Sequence, residues 1–143
     1  MVESILVPTD GSRQAAEKIR QTIAYAQRES ARVHALFVVD TKRYGEPALS
    51  SMEVLLDTFE DAGREHLAAL VDAGERQGVV VEPHCSRGDP TTKIVETANE
   101  LAVDVVVPCL EGIPPEKLCR HGLDPRMIEP YARIVDNGLT MPV

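Results

Sequence analysis

Residues 5–12 read Ile-Leu-Val-Pro-Thr-Asp-Gly-Ser, and this stretch decides the fold. Its three consecutive apolar residues predict a short strand buried on both faces, which is typical of a central strand in a parallel sheet. Pro8 is expected to end the strand because it has no N–H to give to a ladder. The residues after it predict a tight turn into a helix. Ligands of open α/β sheets bind at this carboxyl end of the strands, so Asp10 stands where a sugar hydroxyl or a metal would be met.

The chain beyond this turn alternates between apolar runs and helical patterns. Apolar residues at helical spacing predict helices, and short continuous apolar runs predict buried strands. The alternation predicts a doubly wound, mainly parallel sheet with helices on both faces. The predicted elements are a helix at 13–29, a strand at 33–39, a helix at 50–77, a strand at 79–85, a helix that starts near residue 90 and a strand at 103–107.

Local signals set boundaries within this pattern. Ser50 and Glu53 have the spacing of a capping box and predict the start of the second helix. Pro83 predicts that the third strand lies near an edge of the sheet or ends early. Gly63 and Gly74 stand inside the second helix, where glycine has low helix propensity, so they are expected to weaken it.

The last quarter of the chain differs from the rest in composition. Residues 108–143 hold six of the ten prolines, so we expect a divergent segment within a single domain that spans residues 1–143. A short fifth strand is predicted at 139–143. One more helix is predicted from apolar residues at helical spacing, namely Met127, Ile128, Tyr131, Ile134 and Val135.

The composition argues against several classes of function. A formal net charge of -8 at pH 7 argues against nucleic acid as a partner, because that binding depends on neutralising phosphates. No apolar run approaches the roughly 18 residues of a membrane span, and no signal or transit peptide is recognised. We therefore expect a cytoplasmic protein that binds neither nucleic acid nor membranes.

The histidines and cysteines are candidate ligands of a zinc site. Their spacing matches no standard zinc motif, so free thiols and surface histidines are expected at His84, Cys85, Cys109, Cys119 and His121. His34 lies within the second predicted strand and is expected to be a structural histidine. Neither a dinucleotide fingerprint nor a P-loop occurs in the chain.

Three motifs occur in an order that carries a family resemblance. They are the strand and turn at residues 5–12, the Val-Val-Asp that ends the second strand at 38–40, and the Gly-Asp-Pro turn at 88–90. Together they resemble the universal stress protein family over residues 1–107. The resemblance implies a Rossmann-like fold of the adenine nucleotide alpha hydrolase type. It also implies a stress-response role and a homodimer that forms through the fifth strand.

Nucleotide-binding members of that family carry the pattern G-x2-G-x9-G-[ST] after the fourth strand, where backbone amides wrap the phosphates. In the aligned residues of this chain, Cys109 replaces the first glycine, Gly112 and Gly122 keep the other two, and Leu123 replaces the hydroxyl residue. Leu123 donates no hydrogen bond, and the side chain of Cys109 is expected where backbone would approach phosphate. The altered pattern predicts that ATP binding is weak or lost.

The same resemblance implies a set of nucleotide-binding residues for ATP, with Mg²⁺ present only if ATP is bound. Asp10 would take the ribose hydroxyls, two glycines would offer amides to the phosphates, and three residues would pack near the base. The plainer alternative is that Asp10 only caps the first helix and the glycines only turn the chain. The full set is Pro8, Thr9, Asp10, Val38, Gly112 and Gly122.

These expectations leave three functions open. The first is a regulatory, non-enzymatic universal stress protein whose affinity for an adenine nucleotide is weak or lost. The second is a slow ATPase, for which the sequence identifies no water-activating residue. The third is a dimeric interaction module that binds no ligand.

Overall fold

Parallel strands and the helices between them make up the described part of the chain, which comprises residues 2–42, 49–130 and 134 of a computed structural model. Their order alternates strand and helix up to the fourth strand. The elements are β1 (Ser4–Thr9), α1 (Arg13–Glu29), β2 (Arg32–Asp40), α2 (Leu49–Arg76), β3 (Val81–Gly88), α3 (Pro90–Glu100), β4 (Val105–Val106), α4 (Pro115–Arg120) and a 3₁₀ turn (Pro125–Met127).

The strands form one parallel sheet in the order β3-β2-β1-β4. This order confirms the predicted doubly wound sheet, with β1 in a central position. Pro83 lies in β3, which is an edge strand, as its lack of an N–H predicts. The assignment of residues 1–143 to a single domain stays a prediction.

The two faces of β1 support two separate hydrophobic clusters. Ile5 and Val7 pack with residues of α1 and α2, whereas Leu6 packs with residues of α3 and α4. All three side chains are fully buried. The continuous apolar run is therefore explained by helices that cover both faces of the strand.

Pro8 does not end β1, contrary to the prediction, because the strand continues to Thr9. The Leu6 carbonyl accepts from the Val107 N–H on the β4 side of the strand, and alternate residues point the same way, so the Pro8 nitrogen also faces that side. Pairing with β4 stops at Leu6. The missing N–H of Pro8 therefore removes no bond from the ladder.

Helix α2 lies close to the sheet at two glycines. A Cβ at Gly63 would overlap the ring of Phe37, and a Cβ at Gly74 would overlap the side chain of Val81. Both glycines, which lower the helix propensity, therefore permit the close packing of α2 on β2 and β3. The helix begins at Leu49, one residue before the predicted start, and the side chain of Ser50 lies outside the described residues, so the capping box stays a prediction.

The segment after β4 departs most from the expectations. Helix α4 was not predicted. The last predicted helix, for which Pro125 or Pro130 was the expected first residue, does not start at Pro125, because Met127 ends a 3₁₀ turn and Ile128 is extended. Ile128 forms a parallel bridge with Val106, and the Glu129 N–H donates to the Val106 carbonyl at 3.0 Å. The open edge of β4 thus competes with helix formation, and Pro130 disfavours a helical conformation at the residue before it.

The remaining predictions for this segment fall outside the described residues. The predicted fifth strand at 139–143 lies there, as do Tyr131 and Val135 of the predicted helix. Ile134 is described and is buried in the cluster that α1 and α2 share with the sheet.

Candidate functional site

A cleft with a volume of about 530 Å³ opens at the carboxyl ends of β1 and β2. Small-molecule sites commonly have volumes of about 300–1,000 Å³, and they lie at this end of parallel sheets. The walls come from the turn after β1, the end of β2, the start of α3 and the segment after β4. The lining residues are Pro8, Thr9, Asp10, Leu36, Val38, Asp40, Asp89, Pro90, Thr91, Leu110, Glu111, Gly112, Ile113 and Lys117.

Most residues of the predicted nucleotide set meet in this cleft. Five of the six line it, and they come from three separate parts of the chain: Pro8, Thr9, Asp10, Val38 and Gly112. The sixth, Gly122, does not line the cleft. It follows α4 with φ at +105°, and its N–H donates to the Cys119 carbonyl at 3.1 Å. The part that each residue plays in binding a nucleotide stays a prediction.

The turn after β1 holds Asp10 by a local hydrogen bond. Its Oδ1 accepts from the Ser12 N–H at 2.9 Å, while Ser12 itself caps α1 by accepting from the Ala15 N–H. Asp10 therefore does not cap the helix. Burial tends to raise the pKa of Asp10, but hydrogen bonds from Ser12 outweigh it and hold that pKa below its usual value. The carboxylate is thus charged at neutral pH and available to hydrogen-bond donors.

Thr9 connects this turn to α2. Its buried hydroxyl lies 2.8 Å from His66 Nε2 and also accepts from the Gly11 N–H. Burial lowers the pKa of His66, and the nearby carboxylate of Asp10 opposes that effect only in part. His66 was not among the residues predicted from the sequence. A signal existed, because it follows Gly63 by three residues and precedes Leu70 by four, which places it on the apolar face of α2.

The start of α3 forms another wall. Asp89 caps the helix by accepting from the Thr92 N–H and hydroxyl at 3.0 and 2.9 Å, and these bonds lower the pKa of Asp89. Pro90 occupies the first turn, where a missing N–H costs nothing. Thr91 is buried at the cleft.

Acidic side chains outnumber basic ones around the cleft. Among the residues that the structure describes, the lining includes the carboxylates Asp10, Asp40, Asp89 and Glu111 and one basic residue, Lys117. Such a balance disfavours a ligand with several negative charges unless a cation accompanies it.

Two side chains of the segment after β4, those of Cys109 and Leu123, lie in the hydrophobic clusters and do not line the cleft. Cys109 is buried in the cluster beneath α1 and α2, where desolvation raises the pKa of its thiol to about 12. Leu123 is buried in the cluster beneath α3 and α4. The expectation that the Cys109 side chain stands where a phosphate would be approached is therefore wrong. Gly112 presents backbone instead, with φ at +81°, and its N–H donates to no other residue that the structure describes.

The cysteines and histidines agree only in part with the sequence-based expectation. Cys85, Cys109 and Cys119 are free thiols, as expected. His84, expected as a surface histidine, is half-buried and contacts His34 of the neighbouring strand. None of the helices in the described ranges is long and apolar enough to cross a membrane.

The first three quarters of the chain match known proteins of a single family. The family model described as "Universal stress protein family" matches residues 1–108, so the match ends one residue before Cys109. A universal stress protein of Methanocaldococcus jannaschii is 32% identical over 108 residues, which cover 75% of this chain and 64% of that protein. The chain thus matches less than two thirds of that relative's length.

Solved structures share the fold. A universal stress protein family member from Burkholderia pseudomallei superposes with a TM-score of 0.75 at 26% identity, over 90% of this chain and 96% of that one. A family protein from Arabidopsis thaliana, solved with AMP bound, has a TM-score of 0.67 at 15% identity, over 90% of each chain.

Proposed function

This chain belongs to the universal stress protein family, and we propose that it binds an adenine nucleotide in the cleft at the carboxyl ends of β1 and β2. The observation that carries the proposal is the convergence of the predicted residues. Asp10, Val38 and Gly112 are far apart in the chain and were chosen from sequence motifs, yet they line the same cleft.

The ribose end of the proposed site rests on Asp10. Its carboxylate is ionised at neutral pH and acts only as an acceptor, while the two ribose hydroxyls are donors. The bond from the Ser12 N–H occupies part of the capacity of Oδ1, which leaves Oδ2 to the ligand. Hydrogen bonds to a charged group contribute about 1.5–3 kcal/mol.

The base end rests on apolar side chains. Pro8, Leu36 and Val38 lie side by side at the ends of the two central strands and offer a surface on which a purine ring would pack. Small-molecule sites commonly combine such a surface with a few polar groups. Thr9 Oγ1 is engaged by His66 and the Gly11 N–H, so its proposed part is to shape the wall beside the base.

The phosphate end is expected to discriminate between nucleotides. Gly112 lines the cleft and its N–H donates to no other residue that the structure describes, whereas the Gly122 amide is already engaged. The carboxylates of the lining repel additional phosphates. We therefore propose that AMP binds at least as tightly as ATP, and that Mg²⁺ strengthens ATP binding by neutralising part of its charge. The AMP-bound relative supports a monophosphate as a ligand for this fold.

Family membership alone supports three further parts of the proposal. They are a regulatory stress-response role without catalysis, a cytoplasmic location and a homodimer. The dimer proposal involves the predicted strand at 139–143, which lies outside the described residues.

Isothermal titration calorimetry of the full chain with AMP, ATP, ATP plus Mg²⁺, and GMP tests the site. Asp10→Asn keeps an acceptor for the Ser12 N–H but removes the charge, and we expect it to weaken AMP binding by about 10–100-fold. Asp61→Asn is the matched control, because Asp61 is exposed on α2 and should leave the affinity unchanged.

Two results would contradict the proposal. One is the absence of any heat with adenine nucleotides at millimolar concentration. The other is an Asp10→Asn variant that binds AMP as tightly as the wild type. Equal thermal midpoints of the two variants would show that a loss of affinity does not reflect unfolding.

A further inference from the structure

We propose that His34, Glu82 and His84 form a binding site for a divalent transition-metal ion, and that Zn²⁺ is the ion whose chemistry fits them best. The three residues lie on adjacent strands at one face of the sheet. His34 of β2 is opposite Glu82 of β3 in the parallel register, and His84 follows two residues later. Side chains two residues apart on a strand point to the same face, so the register brings all three together.

The distances suit a small metal ion. His34 Nδ1 lies 3.0 Å from His84 Nε2 and 3.2 Å from Glu82 Oε2. One ligand atom from each residue lies within 4.8 Å of the other two. A tetrahedral Zn²⁺ with bonds of about 2.0–2.1 Å holds its ligand atoms about 3.3 Å apart. The two short contacts therefore need to lengthen by only a few tenths of an ångström.

The hydrogen bonds within the cluster are incomplete without an ion. A proton on His34 Nδ1 must be shared between Glu82 and His84. If His84 Nε2 carries the proton instead, His34 Nδ1 accepts it, and no proton then lies between His34 Nδ1 and the Glu82 carboxylate. A cation at the centre would engage lone pairs of all three groups at once.

The surroundings orient the ligands and leave a path for the ion. Arg32 Nη1 binds Glu82 Oε1 at 2.9 Å, which orients the other carboxylate oxygen towards His34. The side chain of His34 is only 8% exposed, whereas that of Glu82 is 39% exposed, so the site reaches solvent on one side. Two histidines and one glutamate leave a fourth position for water or another ligand.

The site is separate from the nucleotide cleft. None of the three residues lines that cleft. His34 precedes Val38 by four residues along β2, which corresponds to about 13 Å at the rise of a strand. Metal binding can therefore be measured without nucleotide, and its outcome does not depend on the proposed function.

Titration of the metal-free full chain with ZnCl₂, followed by calorimetry, tests the site. We expect one Zn²⁺ per chain in the absence of nucleotide. Glu82→Gln and His84→Gln should each weaken binding by about 100-fold or more, because even partners outside the first shell of ligands change metal affinity by about 10–100-fold. His121→Gln is the matched control, since His121 is an exposed histidine at the end of α4 and is not part of the cluster, and this variant should bind Zn²⁺ as the wild type does.

A spectroscopic readout separates this site from the thiols. Co²⁺ bound by nitrogen and oxygen ligands should lack a thiolate charge-transfer band, and binding should persist in a Cys85→Ser/Cys119→Ser variant. The proposal is overturned if the wild type binds no Zn²⁺ at millimolar concentration. It is also overturned if Glu82→Gln and His84→Gln, folded by their thermal midpoints without metal, bind as tightly as the wild type.

Discussion

Two of the walls of the cleft differ in how far they keep the family pattern. The first wall, residues 8–12, offers side chains and holds the carboxylate of Asp10 by a hydrogen bond from Ser12. The second wall, residues 108–123, lines the cleft with Gly112 and its neighbours, whereas Cys109 and Leu123, which replace a glycine and a hydroxyl residue of the family pattern, lie in the hydrophobic clusters. Only the first wall lies wholly within the family match. The difference teaches that a substituted motif residue need not occupy the place of the residue it replaces, because packing decides where its side chain goes.

The largest expected effect comes from restoring a hydroxyl to the second wall. Leu123→Ser should lower the free energy of unfolding by about 3–4 kcal/mol, because it leaves a cavity beneath α3 and α4 and buries a polar group. Urea denaturation measures the loss. Leu123→Met keeps the volume and should cost less than about 1.5 kcal/mol. A serine variant as stable as the wild type, with tighter ATP binding, would show that residue 123 reaches the phosphates.

An effect of intermediate size is expected from alanine at Gly11 and at Gly112, one glycine in each wall, and the two losses of stability should differ. Gly11 and Gly112 both have φ at +81°, and an alanine in that region costs about 1–2 kcal/mol. A Cβ at Gly11 would also meet Phe37 Cε2 at 3.2 Å, and Gly63 packs against the other edge of that ring. A Cβ at Gly112 would meet no atom within 4 Å among the described residues beyond its chain neighbours.

Gly11→Ala should therefore destabilise the protein by about 2 kcal/mol or more, and Gly112→Ala by about 1 kcal/mol. Thermal unfolding of the two variants under the same conditions measures the difference. Equal losses would indicate that Phe37 moves aside without cost and that the first wall is less tightly packed than the structure indicates.

The smallest expected effect concerns the link between α1 and the second wall. Lys18 Nζ donates to the Cys109 carbonyl at 3.2 Å. Lys18→Met keeps most of the aliphatic stem and should lower the free energy of unfolding by about 1 kcal/mol, the usual net value of a hydrogen bond. Arg20→Met is the control, because the ion pair of Arg20 with Glu17 is exposed and should contribute less than about 0.5 kcal/mol. Similar losses in both variants would argue that this link does not stabilise the second wall.

Much of the fold is predictable because its signals are local. The helix at 13–29 agrees with α1 at both ends, since an apolar stripe and the cap at Ser12 lie within the same segment. The short helix α4 is not predictable in this way. It spans six residues after a proline and buries Leu118, which is too little for a helical period to appear.

The segment at Met127 and Ile128 shows the opposite failure. Its apolar spacing fits a helix, but the same residues also fit an extended segment beside a strand. The open edge of β4 at Val106 accepts that segment, and a sequence pattern carries no information about a distant edge.

The sequence by itself determined that residues 5–7 are buried on both faces and that a polar turn follows β1, because burial and turn formation depend on neighbouring residues. The resemblance to a family pattern also predicted that Asp10, Val38 and Gly112 belong to one nucleotide site. Only the tertiary structure decided that Thr9 meets His66, that Cys109 and Leu123 face the core, and that His34, Glu82 and His84 converge. These contacts join segments far apart in the chain, so they depend on strand register and helix packing rather than on local composition.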